Sequence, residues 1–295
     1  MKRKTCPLCG FREYRVLFLR SFRVNKHLNK RIFSARRSPD RIHGTIVECM
    51  GCGLVRTLEV IDPSKLKTLY GKSLFTYGNL IENLRTSHAP ILKKAASYLK
   101  QKKNFLEIGC GNGFLLEEAI KLGFSKVAGV EPSDDAIKKA DKKIRKYIKN
   151  DILRPGLYPK ESFDLVAAFQ VFDHIPDPNS FLQTCNELLK PKGILVLMNH
   201  DVGAISAKIL SERSPIYDIE HTYLYRKETI VKILEKNRFS VIQTSFPPTV
   251  FSIRYLSRLL PLPSFLKERI SRSKNLFFDV RLKVYPGNIC VYAQK

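Results

Sequence analysis

The sequence predicts an α/β protein built on a doubly wound sheet, and three observations carry that expectation. Asn104 to Gly113, NFLEIGCGNG, sets a short apolar run against a turn with three glycines in five residues, and the helical pattern FLLEEAIKL follows at once. A second unit of the same build, KVAGVEPSDDAIKKA, comes next, with Glu131 at the tip of its apolar run and Pro132 and Ser133 opening a helix. Further apolar runs alternate with helical patterns to the end of the chain, the order from which parallel sheets covered on both faces are made.

The glycine turn allows main-chain conformations closed to other residues and lets the backbone approach a ligand, while the helix behind it offers unpaired N–H groups. A nucleotide-like ligand is implied. A dinucleotide fingerprint needs G-x-G-x-x-G, but the spacing here is G-x-G-x-G, with Phe114 where the third glycine would fall. An acid at the tip of the second strand, Glu131, can accept both hydroxyls of a ribose.

The series Glu107-x-Gly109-x-Gly111-x-Gly113 followed by Glu131 resembles the class I S-adenosylmethionine-dependent methyltransferases, over roughly residues 100–295. The resemblance implies a Rossmann-like sheet of seven strands and S-adenosylmethionine as cofactor. It implies cofactor-binding roles for Glu107, Gly109, Cys110, Gly111, Gly113, Glu131 and Pro132. Asp151 stands where related enzymes read the adenine amino group, and Ile152 where a backbone N–H reads the ring. Gln170, leaving the fourth strand, lines the pocket by position.

The length of 295 residues and 44% hydrophobic content suit a full α/β domain with a smaller unit attached. The net charge of +25 points to acidic partners such as RNA, anionic lipid headgroups or a phosphorylated intermediate, or to a solvated basic surface with no specific partner. MKRKTCPLCG runs from basic residues straight into cysteines without an apolar segment. No run approaches the roughly 20 apolar residues of a membrane span, so a cytoplasmic protein, free or peripheral to a membrane, is expected.

Cys6-Pro-Leu-Cys9-Gly10 opens the chain, and Cys49-Met-Gly-Cys52-Gly53 repeats the spacing. Two C-x-x-C knuckles, each followed by glycine, are the layout of a zinc ribbon, and four thiolates close the site, which makes the zinc structural. Between them Phe11, Tyr14, Phe18 and Phe22 interleave with Arg12, Arg15, Arg20 and Arg23, a pattern that fits either stacked bases with held phosphates or the core of a small sheet. Ser38-Pro39-Asp40 reads as a turn. The division expected is a ribbon over 1–60, a helical arm or linker over 61–100 containing Tyr70, Tyr77, Arg85 and His88 with breaks at Gly71 and Gly78, and the methyltransferase domain over 101–295.

Within that domain, Asp173-His174-Ile175-Pro176 resembles the family's acid, histidine and proline loop, with aspartate where glutamate is more usual. His200 and Asp201 fall at the tip of the fifth strand, on the ligand side. Asp218-Ile219-Glu220-His221-Thr222-Tyr223-Leu224-Tyr225 resembles the Glu-His and aromatic segment of related small-molecule enzymes. His221 and His174 are therefore the candidate catalytic histidines, set against packing and cofactor contact for His174 and a capping loop for His221. Tyr223 or Tyr225 would wall the substrate. A helical insertion at about 248–276, with Ile253, Leu256, Leu259 and Leu260 on one face before Pro261, fits a lid, a membrane-resting surface through 250–270, or packing on its own domain.

The activity expected is methyl transfer to a small-molecule acceptor, anionic or lipid-linked, favoured as a sugar or glycan intermediate. The rival is an RNA methyltransferase gripping RNA with the basic ribbon, and the third reading is a non-catalytic scaffold. The stretch Ala168-Phe169-Gln170-Val171 stands where nucleic-acid amino methyltransferases carry N-P-P-Y, and no Pro-Cys nucleophile is present.

Overall fold

A computed structural model of the chain describes residues 5–21, 42–59, 63–76, 80–259, 262–273 and 275–295. Phe22, Arg23, the Ser38-Pro39-Asp40 turn, Tyr77, Gly78, Leu260 and Pro261 lie outside the described residues. The chain opens with strands β1 (Tyr14–Phe18), β2 (Ile46–Cys49) and β3 (Val55–Thr57), followed by helices α1 (Pro63–Gly71) and α2 (Ile81–Ser97). Then come β4 (Asn104–Ile108), α3 (Phe114–Lys121), β5 (Lys126–Val130), α4 (Asp134–Lys138), α5 (Lys142–Arg145), β6 (Ile148–Lys149), β7 (Phe163–Phe169), α6 (Pro178–Leu188) and β8 (Leu189–His200). The chain continues through α7 (Ile205–Leu210), β9 (Tyr223–Leu224), α8 (Lys227–Lys236), β10 (Ser240–Ser245), β11 (Thr249–Ser252), α9 (Ile253–Leu259), α10 (Ser264–Arg272), β12 (Arg281–Val284) and β13 (Asn288–Gln294).

The main sheet has seven strands in the order β10-β13-β8-β7-β4-β5-β6, the Rossmann-like class I methyltransferase arrangement. Strand β4 pairs in parallel with both β5 and β7, so the chain winds outward from β4 in one direction and then from β7 in the other. Ligands bind at the carboxyl ends of the strands where the winding reverses, between β4 and β7. Strand β13 runs antiparallel to both β8 and β10, and β10 forms the far edge. The central strands are near-continuous apolar runs because helices cover both faces: FDLVAAF in β7 is buried at every position except Asp164. On one face α3 buries Phe114, Leu115, Leu116 and Ala119. On the other, α6 opens with Pro178 and is capped by the Asp177 carboxylate, which accepts from Ser180 N–H at 3.1 Å.

A second sheet has the order β1-β2-β3-β9. Its fourth strand comes from the segment before α8: Val55 pairs with Leu224 and Arg56 with Tyr223. Thr57 N–H donates to Thr222 O at 3.0 Å, and Thr57 Oγ1 to His221 O at 2.8 Å. Arg226 adds an ion pair to Glu48 at 2.8 Å, and Lys236 Nζ donates to Pro7 O and Leu8 O. The cysteine-bearing sheet is thus built into the wall that carries His221.

The stretch read as a helical insertion carries helices α9 and α10, framed by an antiparallel hairpin of β11 and β12. Arg254 ties the parts together, bridging to Asp279 at 2.8 Å and donating to the carbonyls of Ile270, Ser271 and Ser273. Among the described residues no helix is long and apolar enough to cross a membrane.

Candidate active site

The carboxyl ends of β4, β5, β7 and β8 open into a cavity of about 820 Å³. The glycine turn forms its floor. Gly109, Gly111 and Gly113 all take positive φ, at 71°, 55° and 76°. A side chain on Gly109 would also run into Val171, and a Cβ on Gly113 would stand 2.6 Å from Ile144 Cγ2. Only glycine meets both demands. Gly109, Cys110 and Gly111 line the cavity, whereas Gly113 sits one step behind them as the residue that starts α3.

Glu131 lies at the tip of β5. One carboxylate oxygen accepts from Gly111 N–H and the other from Ser133 N–H, both at 2.8 Å. Burial pushes its pKa up, against the pull of those two bonds. Glu107, on β4, is fully buried, and its Oε2 has no hydrogen-bond partner among the described residues. Burial pushes its carboxyl well above the usual glutamate range, and the charge of Glu131 adds to the shift. Gln170 holds a left-handed backbone, φ 56°, with its N–H on Met198 O at 2.7 Å. Its Nε2 donates to Asn288 Oδ1 at 3.1 Å while Oε1 is buried without a partner. Two buried acceptors facing one cavity need donors from a ligand.

Asp151 and Ile152 line the same cavity beside Pro132. Burial works to raise the Asp151 pKa, but bonds from Lys67, from Ile152 N–H and from Arg154 bring it below the ordinary aspartate value. Lys67 belongs to α1, and Leu66, Tyr70 and Ser73 from the same arm also line the cavity. Ser133 Oγ donates to Ser73 O at 3.0 Å and Phe75 N–H to Asp135 at 2.8 Å, so the arm is fastened across the β5 tip. Phe251, Tyr255 and Leu256 close the opposite side. Phe265, Leu276 and Phe277 stay exposed on the outer surface of that cover.

At the far end stand three histidines. His174 Nδ1 lies 3.0 Å from the Tyr70 hydroxyl, and its Nε2 is 3.6 Å from Asp173 Oδ1. Burial holds its pKa down at about 4, with the Asp173 charge opposing. His221 Nδ1 is 2.7 Å from Ile216 O, and its Nε2 faces Asp173 Oδ2 at 3.9 Å. The His221 ring meets His174 at 4.8 Å and His200 at 5.0 Å between centroids, both edge to face. His174 and His221, proposed from the sequence, therefore converge, with His200 completing the group. Asp201 turns away and accepts from Gly203 N–H. Tyr223 and Tyr225 do not reach the cavity: both are fully buried, and Tyr225 stacks on Phe172 at 4.9 Å. Pairing of β9 with β3 turns these rings into the core. The chain from Gln170 through Asn288 to Thr249, whose Oγ1 accepts from Asn288 Nδ2 at 2.8 Å, has no sequence signal, since the three residues lie on separate elements.

Cys6, Cys9, Cys49 and Cys52 do not line this cavity but converge with one another, their sulfurs all within 4.8 Å. Cys6 Sγ is 3.6 Å from Cys52 Sγ and Cys9 Sγ 3.5 Å from Cys49 Sγ. Four sulfurs at about 2.3 Å from one tetrahedral ion would lie roughly 3.8 Å apart. The two knuckles are alike: Gly10 N–H donates to Cys6 O and Gly53 N–H to Cys49 O, both glycines in the left-handed region.

The family described as a methyltransferase domain matches residues 80–244. The human mitochondrial ubiquinone biosynthesis O-methyltransferase is 28% identical over 254 residues, which cover 78% of this chain and 68% of that protein. The Rhodopseudomonas palustris (strain TIE-1) ubiquinone biosynthesis O-methyltransferase is 38% identical over 96 residues, 31% of this chain and 38% of its own length. A solved structure from Bacillus halodurans C-125, assigned to the methyltransferases, superposes with a TM-score of 0.51 at 18% identity, covering 71% of this chain and 99% of that one, and shows the fold alone. These relatives overturn the expected acceptor. They are named for O-methylation in ubiquinone biosynthesis, not for a sugar, a lipid-linked glycan or RNA, and they leave no place for the scaffold reading. The basic composition had suggested polyanions, but net charge describes a surface, whereas Phe169, Ile175, Phe251, Tyr255 and Leu256 give this cavity apolar walls.

Proposed function

We propose that this chain, which belongs to the methyltransferase-domain family and is an S-adenosylmethionine-dependent methyltransferase, methylates a hydroxyl oxygen of an apolar, aromatic small molecule of the quinone-precursor type. The observation that carries the reading is the cavity itself: apolar walls end at a cluster of imidazoles, and the relatives are O-methyltransferases. When bound, S-adenosylmethionine supplies an activated methyl group, so the chain's work is to hold, orient and deprotonate the acceptor.

Glu131 has two lone-pair directions occupied by Gly111 and Ser133 N–H, which leaves two for the paired hydroxyls of a ribose. Asp151 and the Ile152 N–H are assigned to the adenine edge, with Pro132 and Cys110 against the ring and sugar. The orphaned Glu107 Oε2 and Gln170 Oε1 suit the ammonium end of the cofactor. Gly109, Gly111 and Gly113 keep the main chain close enough for these contacts. His174 and His221 are assigned to the acceptor's hydroxyl proton, and the covers from α1 and α9 exclude water. Cys6, Cys9, Cys49 and Cys52 suit a structural zinc ion, whose closed thiolate set would fix the β1–β3 sheet and, through β9, the position of His221.

The test is product identification by mass spectrometry after incubating the full chain with labelled S-adenosylmethionine and matched acceptors. Catechols and hydroquinols with apolar ring substituents should gain one methyl on oxygen, and matched anilines none. Methylation of the anilines with the hydroxylated compounds untouched would overturn the reading.

A further inference from the structure

We propose that Asp173, His200 and His221 bind one divalent first-row cation at the end of the cavity, with an open coordination position facing the acceptor. The part of this that concerns the acceptor rests on the hydroxyl methylation proposed above; the ion site does not.

The first observation is a buried carboxylate with imidazoles near it but no hydrogen bond to hold it. Asp173 is 0% exposed, and neither of its oxygens has a hydrogen-bond partner among the described residues. A buried charge in that state is retained only when a cation answers it. The second is the tautomer of His221. Its Nδ1 lies 2.7 Å from the carbonyl of Ile216, which can only accept, so Nδ1 carries a proton, and in the neutral ring Nε2 presents a lone pair. That lone pair faces Asp173 Oδ2 at 3.9 Å, acceptor against acceptor. Two metal bonds of about 2.0–2.1 Å meeting at a shared ion span that gap. Histidines that ligate metals characteristically donate the other ring N–H to a carbonyl or carboxylate, as His221 does to Ile216.

The third observation is convergence. One ligand atom from each of Asp173, His200 and His221 lies within 4.8 Å of the other two. Two imidazoles with one carboxylate form a borderline donor set suited to zinc, cobalt or iron(II), and three protein ligands leave room for an oxygen from outside. His200 and His221 both line the cavity, so the open position is on the acceptor's side. The set is distinct from the four cysteines, which are soft donors in a closed site. An ion here would draw the acceptor oxygen to a fixed place beside the methyl donor. With the ion bound, His221 is a ligand and is no longer available to the acceptor's proton.

Metal-free full-length protein is titrated with Co2+ and followed by absorbance, beside S-adenosylmethionine calorimetry on the same samples. Two equivalents should bind: one with thiolate-to-cobalt charge-transfer bands, one with ligand-field bands alone. His200→Gln and Asp173→Asn should each weaken the second by more than about 10–100-fold, the loss that changes around metal ligands alone produce, and leave the first in place. Cys49→Ser should do the reverse. Should D173N fail to fold, H200Q, at a partly exposed position, decides the matter, and retained cofactor affinity reports that the pocket is intact. Saturation at one equivalent in the unaltered chain would overturn the site. So would a second equivalent that H200Q does not weaken. If the second ion binds but no aromatic hydroxyl is methylated, the site stands and the acceptor reading falls.

Discussion

Replacing Glu131 by glutamine tests the cofactor pocket most directly, because the residue keeps its shape and loses half its acceptors. Its two oxygens each accept one backbone N–H at 2.8 Å, from Gly111 and Ser133. Four lone-pair directions minus these two leave two for the ribose. Glutamine has one oxygen, so either a backbone N–H is left against an NH2 group or a ribose hydroxyl loses its acceptor. A hydrogen bond to a charged group is worth about 1.5–3 kcal/mol, which converts to a roughly 10–150-fold rise in the dissociation constant for S-adenosylmethionine. Isothermal calorimetry on the full chain measures it. Glu131→Asp keeps the charge but draws it back by one methylene, and should fall between wild type and E131Q. Affinity for E131Q within twofold of wild type would refute the assignment of Glu131 to the ribose, and with it the orientation of the cofactor along β4 and β5.

Other outcomes follow from neighbouring features. Glu107→Gln removes a buried carboxyl that has an unpartnered oxygen and lies beside Glu131, so the ligand-free protein should melt higher, by an amount equivalent to about 1 kcal/mol or more. Because the folded pKa of Glu107 is raised, the unfolded chain ionises first. Stability of the ligand-free protein should therefore fall as pH rises from the ordinary glutamate range toward that raised value, and E107Q should flatten this part of the melting profile. Gly109→Ala must hold a left-handed φ of 71° and press its Cβ on Val171, costing at least about 1–2 kcal/mol in urea unfolding and most of the cofactor affinity. Chelation of zinc, or Cys49→Ser, should loosen the β1–β3 sheet and raise hydrogen exchange at Thr57, whose amide donates to the carbonyl of Thr222 at 3.0 Å. Unchanged exchange there would mean the sheet stands without the ion.

Local signals made part of this molecule legible. The apolar run, the glycines and the helix after them are contiguous, so β4, the turn and α3 could be read off an eighteen-residue window, and the acid at the tip of β5 stood where the winding of the sheet puts it. The two knuckles repeat one spacing, and their sulfurs do meet. What stayed hidden depends on partners far off in the chain. His221 was singled out, but nothing near it says that Asp173 and His200 lie across from it. Tyr223 and Tyr225 looked like substrate walls because aromatic residues beside a histidine suit that role, yet strand pairing with Val55 and Arg56 set their direction. Strands β11 and β12, four residues each, are too short to stand out from the helical pattern between them. The acceptor was misjudged because charge and pocket are separate properties: net charge sums over the whole surface, and the chemistry is decided by the few side chains that line the cavity.

The pairing of β3 with β9 also bears on how the chain comes to be folded. Thr57 and His221 are bonded although 164 residues separate them. The sheet that begins within the first twenty residues thus waits for its last strand until most of the protein has left the ribosome, and closing so long a loop slows that step. Until then β3 presents a bare edge of N–H and C=O groups to whatever strand is nearby. Early capture of an ion by the four cysteines, all of which are made before residue 53, would hold the knuckles together through that interval. Overproduction in metal-depleted cells should accordingly yield aggregated chain, and its yield should recover with zinc supplied during synthesis rather than afterwards.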